Sequence, residues 1–206
     1  MMLIGKYNKS VTVTYLGVIA ALIGSYLAVI EHMPRYAVLC LIIAGLCDLF
    51  DGVFARRCKR DEEEKAFGVQ IDSLADMVSF VFLPLCIGYA VGLDKWYHIA
   101  VFAVYTLAVI TRLGFFNITA DGKSNEPADH YRGLPVTYAA LILPVVWLLS
   151  FVLSAELFAA VYTAAMALLS LLFVADVKMP KPKGVFYVIF PLLAIALIFV
   201  IIFIRA

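Results

Sequence analysis

Four aspartates stand inside otherwise apolar stretches of this chain. Asp48 and Asp51 belong to Cys-Asp-Leu-Phe-Asp-Gly-Val-Phe-Ala-Arg from Cys47 to Arg56, and Asp72 and Asp76 to Gly-Val-Gln-Ile-Asp-Ser-Leu-Ala-Asp from Gly68 to Asp76. The spacings i, i+3 and i, i+4 project each pair from one helix face, one turn apart. The chain should reverse around residues 58–67, making the two helices antiparallel neighbours. Both pairs then lie roughly seven residues, about 10 Å of helix, from that turn, so all four carboxylates reach one layer. Four unpaired carboxylates at that depth would each cost several kcal/mol and would repel one another. No lysine or arginine shares their helical turns, Arg56 being at the edge. Divalent ions on carboxylate oxygens would neutralise the cluster and organise phosphate oxygens, which points to Mg²⁺ or Mn²⁺, one ion or two. Intramembrane acids can also mark a proton or cation pathway, but paired helical spacing beside Gly52 and Ala55 fits a ligand site better. Small residues such as Gly52 and Gly68 let helices approach closely and leave room for a phosphate or nucleotide.

The elements carrying these residues are membrane helices. Of the 206 residues 65% are hydrophobic, against roughly 45–50% in soluble domains, and the mean hydropathy is +1.00. Seven stretches, at about 11–30, 35–57, 68–92, 96–117, 134–153, 156–175 and 185–204, approach the ~20 apolar residues that cross a bilayer as helix. Uniformly apolar runs exclude the alternating strands of a barrel. The expected fold is therefore all-α: a polytopic membrane bundle of about six to eight transmembrane helices in a single domain over 1–206. The tightest break is at Ser154 and Glu156, and the acidic run Asp61 to Glu64 reads as a solvated turn. Lys6 and Lys9 precede the first run without a clear cleavage site, so that run is expected to be retained and the mature protein to start at Met1. Cys40, Cys47, Cys58 and Cys86 lack metal-ligand spacing, so neither a disulfide nor a zinc site is expected.

A cytoplasmic amino terminus puts Lys6, Lys9, Arg56, Arg57, Lys59, Arg60, Lys65, Lys123, Arg132, Lys178, Lys181 and Lys183 on the cytoplasmic side, and only Arg35, Lys95 and Arg205 outside. Arg112 lies near the cytoplasmic end of the fourth span. The positive-inside rule selects this orientation, which also faces the acidic site toward the cytoplasm. A net charge of +1 with no basic tail suggests no nucleic-acid partner.

The two halves together resemble the signature of the CDP-alcohol phosphotransferases, D-x-x-D-G-x-x-A-R, a gap, then G-x-x-x-D-x-x-x-D. Asp48, Asp51, Gly52, Ala55, Arg56, Gly68, Asp72 and Asp76 fill every fixed position, with an eleven-residue gap between Arg56 and Gly68. The resemblance implies that Asp48, Asp51 and Asp72 are metal ligands and that Asp76 is the general base and a further ligand. It places Asn8, Gly52, Arg56, Gly68 and Ser73 at the CDP-lipid, and it implies a homodimer. Asn8 corresponds to an amino-terminal asparagine of the family, although Val11 stands where a threonine is usual.

Within the family, three stretches are similar to the serine-accepting enzymes. These are Ile71 to Asp76, then Arg112-Leu-Gly-Phe-Phe-Asn117 against R-L-A-R-F-N, and Gly133-Leu-Pro-Val-Thr137 against G-L-P-x-P, so Gly114, Phe115 and Thr137 depart from the pattern. The likeness covers about residues 40–140, the expected catalytic core, with the last two spans merely hydrophobic. It implies transfer of a phosphatidyl group from a CDP-lipid to L-serine, with diacyl and ether lipids both open. A serine pocket needs a cation and polar acceptors, for which Arg112, Asn117 and Arg132 are candidates. Glycerol 3-phosphate or inositol phosphate is the alternative acceptor. A membrane prenyltransferase would need a second acidic helical motif, and the chain has none. A transporter would be expected to repeat its acids in both halves, whereas here they occupy one.

Overall fold

The computed structural model describes residues 11–120, 130–180 and 186–204, together with Gly5 and Asn8. Among these, α1 (Val11–Val29), α2 (Pro34–Arg57), α3 (Glu62–Met77), α4 (Leu83–Ala90), α5 (Trp96–Ala120), α6 (Ala139–Trp147), α7 (Ala155–Val174) and α8 (Phe186–Phe203) form a helical bundle. A π-helical segment, Val78–Phe82, joins α3 and α4 without a break. The result is five helices long and apolar enough to span a membrane, Val11–Val29, Pro34–Ala55, Glu62–Ala90, Trp96–Ile118 and Ala155–Val174, and two shorter apolar ones, Val136–Phe151 and Val188–Phe203. Each overlaps one of the seven expected stretches, the third beginning at Glu62 rather than at 68. Long-range pairing adds one feature that hydropathy does not signal, an antiparallel ribbon of β1 (His130–Arg132) and β2 (Lys178–Pro180) with Tyr131 opposite Met179.

The acidic run before α3 is part of the helix rather than a solvated turn. Asp61 is the N-cap, its Oδ1 accepting from Glu64 N at 2.7 Å, while Glu64 Oε2 accepts from Asp61 N at 3.1 Å. This capping box satisfies two otherwise orphaned amides, and Glu62, Glu63 and Glu64 complement the positive end of the helix dipole. α3 thus begins six residues before Gly68 and reaches Asp72 and Asp76 as one rigid rod.

Beyond Asp76 the helix widens for an identifiable reason. Pro84 has no N–H to give to the carbonyl four residues earlier, that of Phe80, and its ring crowds that group. The Tyr105 hydroxyl of α5 donates to Phe80 O at 2.8 Å instead, and the Tyr162 hydroxyl of α7 donates to Pro84 O at 3.2 Å. Both tyrosines are fully buried. Two polar contacts therefore anchor the π-helical turn just past the site, where such turns often occur.

Small residues set the helix separations. α1 packs along α2, and α2 against α6 and α8. A Cβ on Gly45 would stand 2.5 Å from Ala140 Cβ, so the α2–α6 approach requires glycine there. Arg35 at the start of α2 donates to the last carbonyls of α8, from Nε to Ile201 O at 2.7 Å and from Nη2 to Ile202 O at 3.0 Å, fixing α8 beside α2. After α6 a 3-10 turn, Leu148–Phe151, tightens the chain and Ser154 caps α7, which resolves the tight break expected there.

Gly45→Val should force α2 and α6 apart. The expected cost is about 1–3 kcal/mol, read as a lower unfolding midpoint of the purified protein in detergent.

Candidate functional site

α2 and α3 bring the four aspartates together as their spacing requires. One carboxylate oxygen from each of Asp48, Asp72 and Asp76 lies within 4.8 Å of the other two. Asp76 and Asp51 are buried, and Asp48 and Asp72 are half-buried. Asp51 faces α1, where Thr14 Oγ1 donates to its Oδ2 at 2.8 Å. On the opposite flank Thr137 Oγ1 donates to Asp48 Oδ2, also at 2.8 Å. The hydroxyls orient carboxylates that, when ionised, can only accept.

A cavity of about 290 Å³ opens over the trio. Its polar lining comprises Asp48, Asp72, Ser73, Asp76, Arg112 and Thr137, with Gly52 also at the wall. Its apolar lining includes Ile42, Leu46, Leu141, Phe190 and Ala194. The polar groups suit an anionic or zwitterionic group, and the apolar ones suit hydrocarbon. Asp51 lies outside this cavity and lines a hollow of about 10 Å³ with Thr14, Asp48 and Ser79.

Arg112 is buried at the wall, its Nε donating to Leu134 O at 3.3 Å and its guanidinium 5.7 Å from the Phe116 ring centre. The carbonyl it meets belongs to Gly133-Leu-Pro-Val-Thr137, a segment held against the end of α7. Gly133 N donates to Val177 O at 2.9 Å and Leu134 N to Leu172 O at 3.0 Å. Gly133 has φ +73°, and a Cβ there would meet Phe173 O at 2.6 Å, so both conformation and space demand glycine. Asn117 accepts from Ser73 Oγ at 2.9 Å, linking α5 to α3, but does not itself line the cavity.

Other expected site residues fall farther off. Asn8 spans the α2–α3 connection, its Nδ2 3.1 Å from Lys59 O and 3.3 Å from Glu64 Oε2. Gly68 lies outside the cavity lining, with open space except for Arg60, whose Nη1 would be 3.5 Å from an added Cβ. Arg60, expected only as a cytoplasmic anchor, therefore folds back over α3. The side chains of Arg56 and Arg132 lie outside the described residues, although their backbones belong to α2 and β1.

Sequence reasoning missed Thr14, Thr137 and the α8 contribution. Thr137 was visible as a departure from G-L-P-x-P, and Thr14 as a hydroxyl at the start of an apolar span. Phe190 carried no signal, because its place at the cavity comes from packing between distant segments, its ring centre lying 5.3 Å from that of Tyr138.

The model of the CDP-alcohol phosphatidyltransferase family matches residues 8–175. The chain belongs to that family. Its match extends well beyond the 40–140 region that carries the motifs and stops short of α8. Among curated relatives, the CDP-diacylglycerol–serine O-phosphatidyltransferase of Saccharomyces cerevisiae is 33% identical over 108 residues, 50% of this chain and 38% of that protein. The archaetidylserine synthase of Methanothermobacter thermautotrophicus is 30% identical over 161 residues, 78% of this chain and 64% of the relative. The CDP-diacylglycerol–serine O-phosphatidyltransferase of Bacillus subtilis is 30% identical over 158 residues, 76% of this chain and 81% of the relative. The chain thus spans less than two thirds of the yeast and archaeal relatives it matches. For a CDP-alcohol phosphatidyltransferase, the donor set fits a hard divalent cation: three convergent carboxylate oxygens, held between helices.

Proposed function

We propose that this chain transfers the phosphatidyl group of a CDP-lipid to L-serine, releasing CMP. The observation that carries the reading is the cavity itself, whose lining combines the convergent Asp48, Asp72 and Asp76 with polar Ser73, Arg112 and Thr137 and with apolar side chains. The serine-specific names of relatives that align over most of this chain support serine as acceptor.

Asp48, Asp51, Asp72 and Asp76 would hold Mg²⁺ or Mn²⁺, one ion or two. When bound, the metal would neutralise the pyrophosphate and stabilise the charge of the departing CMP. The residues of the chain then divide the remaining work. Asp76, buried at the cavity wall, accepts the proton of the serine hydroxyl as its oxygen attacks the lipid-side phosphorus. A new P–O bond forms to serine, and the bond to the CMP oxygen breaks with its electron pair. Arg112 and Asn117 suit the serine carboxylate and ammonium, with Arg132 as a further candidate. Gly52 and Ser73 border the diphosphate, with Asn8, Arg56 and Gly68 on the nucleotide side. The apolar wall of Ile42, Leu46 and Leu141 takes the lipid chains, whether diacyl or ether. A single domain with its core at about 40–140, a cytoplasmic amino terminus, an active site facing the cytoplasm, surrounding membrane lipids and a homodimeric state complete the reading.

The acceptor is tested with labelled serine, glycerol 3-phosphate and inositol phosphate, each supplied with a CDP-lipid and Mn²⁺. Serine alone should give a lipid product. Product with another acceptor and none with serine would overturn the serine assignment while leaving the reaction class intact.

Asp76→Asn should lose roughly 10²-fold or more in turnover with CDP-lipid affinity largely kept, because the base is removed while the shape remains. Asp48→Asn should instead weaken metal-dependent CDP-lipid binding. Equal affinity losses with no selective turnover defect would remove Asp76 from the role of base.

A further inference from the structure

Thr137 stands where the serine-accepting enzymes that this chain resembles carry proline, a residue with no hydroxyl to donate. Its Oγ1 donates to Asp48 Oδ2 at 2.8 Å, across 89 residues of sequence. Asp48 is one of the three carboxylates whose oxygens converge within 4.8 Å. Its accepting oxygen thus has a donor from a different segment of the bundle, which restricts how the carboxylate can turn.

The donor is itself firmly held. Thr137 lies in the 3-10 turn Val136–Tyr138 that opens α6. Tyr138 N donates to Pro135 O at 3.1 Å and Leu134 N to Leu172 O at 3.0 Å, while Arg112 Nε reaches Leu134 O at 3.3 Å. The close α2–α6 contact at Gly45 and Ala140 holds the two helices at the separation that the Thr137–Asp48 bond spans. Thr14 on Asp51 makes the matching contact from α1. Metal-binding carboxylates depend on such outer hydrogen bonds for their orientation.

We propose that Thr137 is a positioning residue for the metal site, presenting Asp48 to the ion and tying the Gly133 to Thr137 segment to the acid cluster. The proposal rests on the metal-centred reading above. It concerns ion affinity first and turnover only through it.

The test measures Mn²⁺ binding by electron paramagnetic resonance to the purified full chain in detergent, without lipid or serine, for wild type, Thr137→Val and Thr137→Ser. Valine keeps the shape and removes the donor, whereas serine keeps the donor. Thr137→Val should bind Mn²⁺ about 10-fold or more weakly, and its turnover should recover toward wild type at saturating Mn²⁺. Thr137→Ser should bind nearly as wild type does. If valine does not express as folded protein, Thr137→Ala is compared with serine in the same way. Wild-type affinity in the donor-less variant, or an equal loss in Thr137→Ser, would overturn the positioning role while leaving the metal site standing. A wild-type chain that binds no Mn²⁺ and turns over without it would overturn the metal reading and this one together.

Discussion

Four carboxylates held at one level between helices are the constraint on which this structure depends. Like charges in a poorly hydrated layer are tolerated only if something fixes their orientation and something cationic answers them. Rigid placement comes from continuous helices. α2 runs without interruption through Asp48 and Asp51, and α3 starts early, at a full capping box, so that Asp72 and Asp76 lie well inside it. Hydroxyls from outside the α2–α3 pair complete the arrangement, Thr14 from α1 and Thr137 from the turn before α6.

The rest of the bundle can be understood as support for that layer. Gly45 allows α6 close enough to α2 for Thr137 to reach Asp48. Gly133, in a left-handed conformation against the carbonyls at the end of α7, delivers Leu134 to Arg112 and Thr137 to the acids in one short segment. Past Asp76, Pro84 disrupts the regular ladder and the Tyr105 hydroxyl gives the carbonyl of Phe80 a partner within the bundle. α8 lies beyond the family match yet contributes Phe190 and Ala194 to the cavity lining, while Arg35 holds the far, carboxyl-terminal end of that helix.

Much of this was legible in the sequence, and the reason differs by feature. The helices were readable because lipid leaves the backbone few options and run length alone reveals a span. The aspartate cluster was readable because i, i+3 and i, i+4 spacing survives any detail of packing. The start of α3 was misplaced because Asp61 to Glu64 look like loop by polarity, whereas at a helix N-terminus acidic residues are stabilising. The β1–β2 ribbon and the Thr137–Asp48 bond join residues far apart in the chain, and no local pattern encodes such pairing. Hydropathy likewise marked α8 as apolar without saying that one of its faces would wall the cavity.

The central claim is that a metal held by these aspartates meets the diphosphate of a CDP-lipid. Its most direct measurement is the ³¹P hyperfine coupling of Mn²⁺ bound to the purified chain, recorded before and after CDP-lipid is added. The account predicts protein-bound Mn²⁺ without ³¹P coupling at first, a clear coupling once the CDP-lipid binds, and loss of that coupled signal in Asp72→Ala. Bound Mn²⁺ that never couples to phosphorus, or a coupling that persists undiminished in Asp72→Ala, would contradict it.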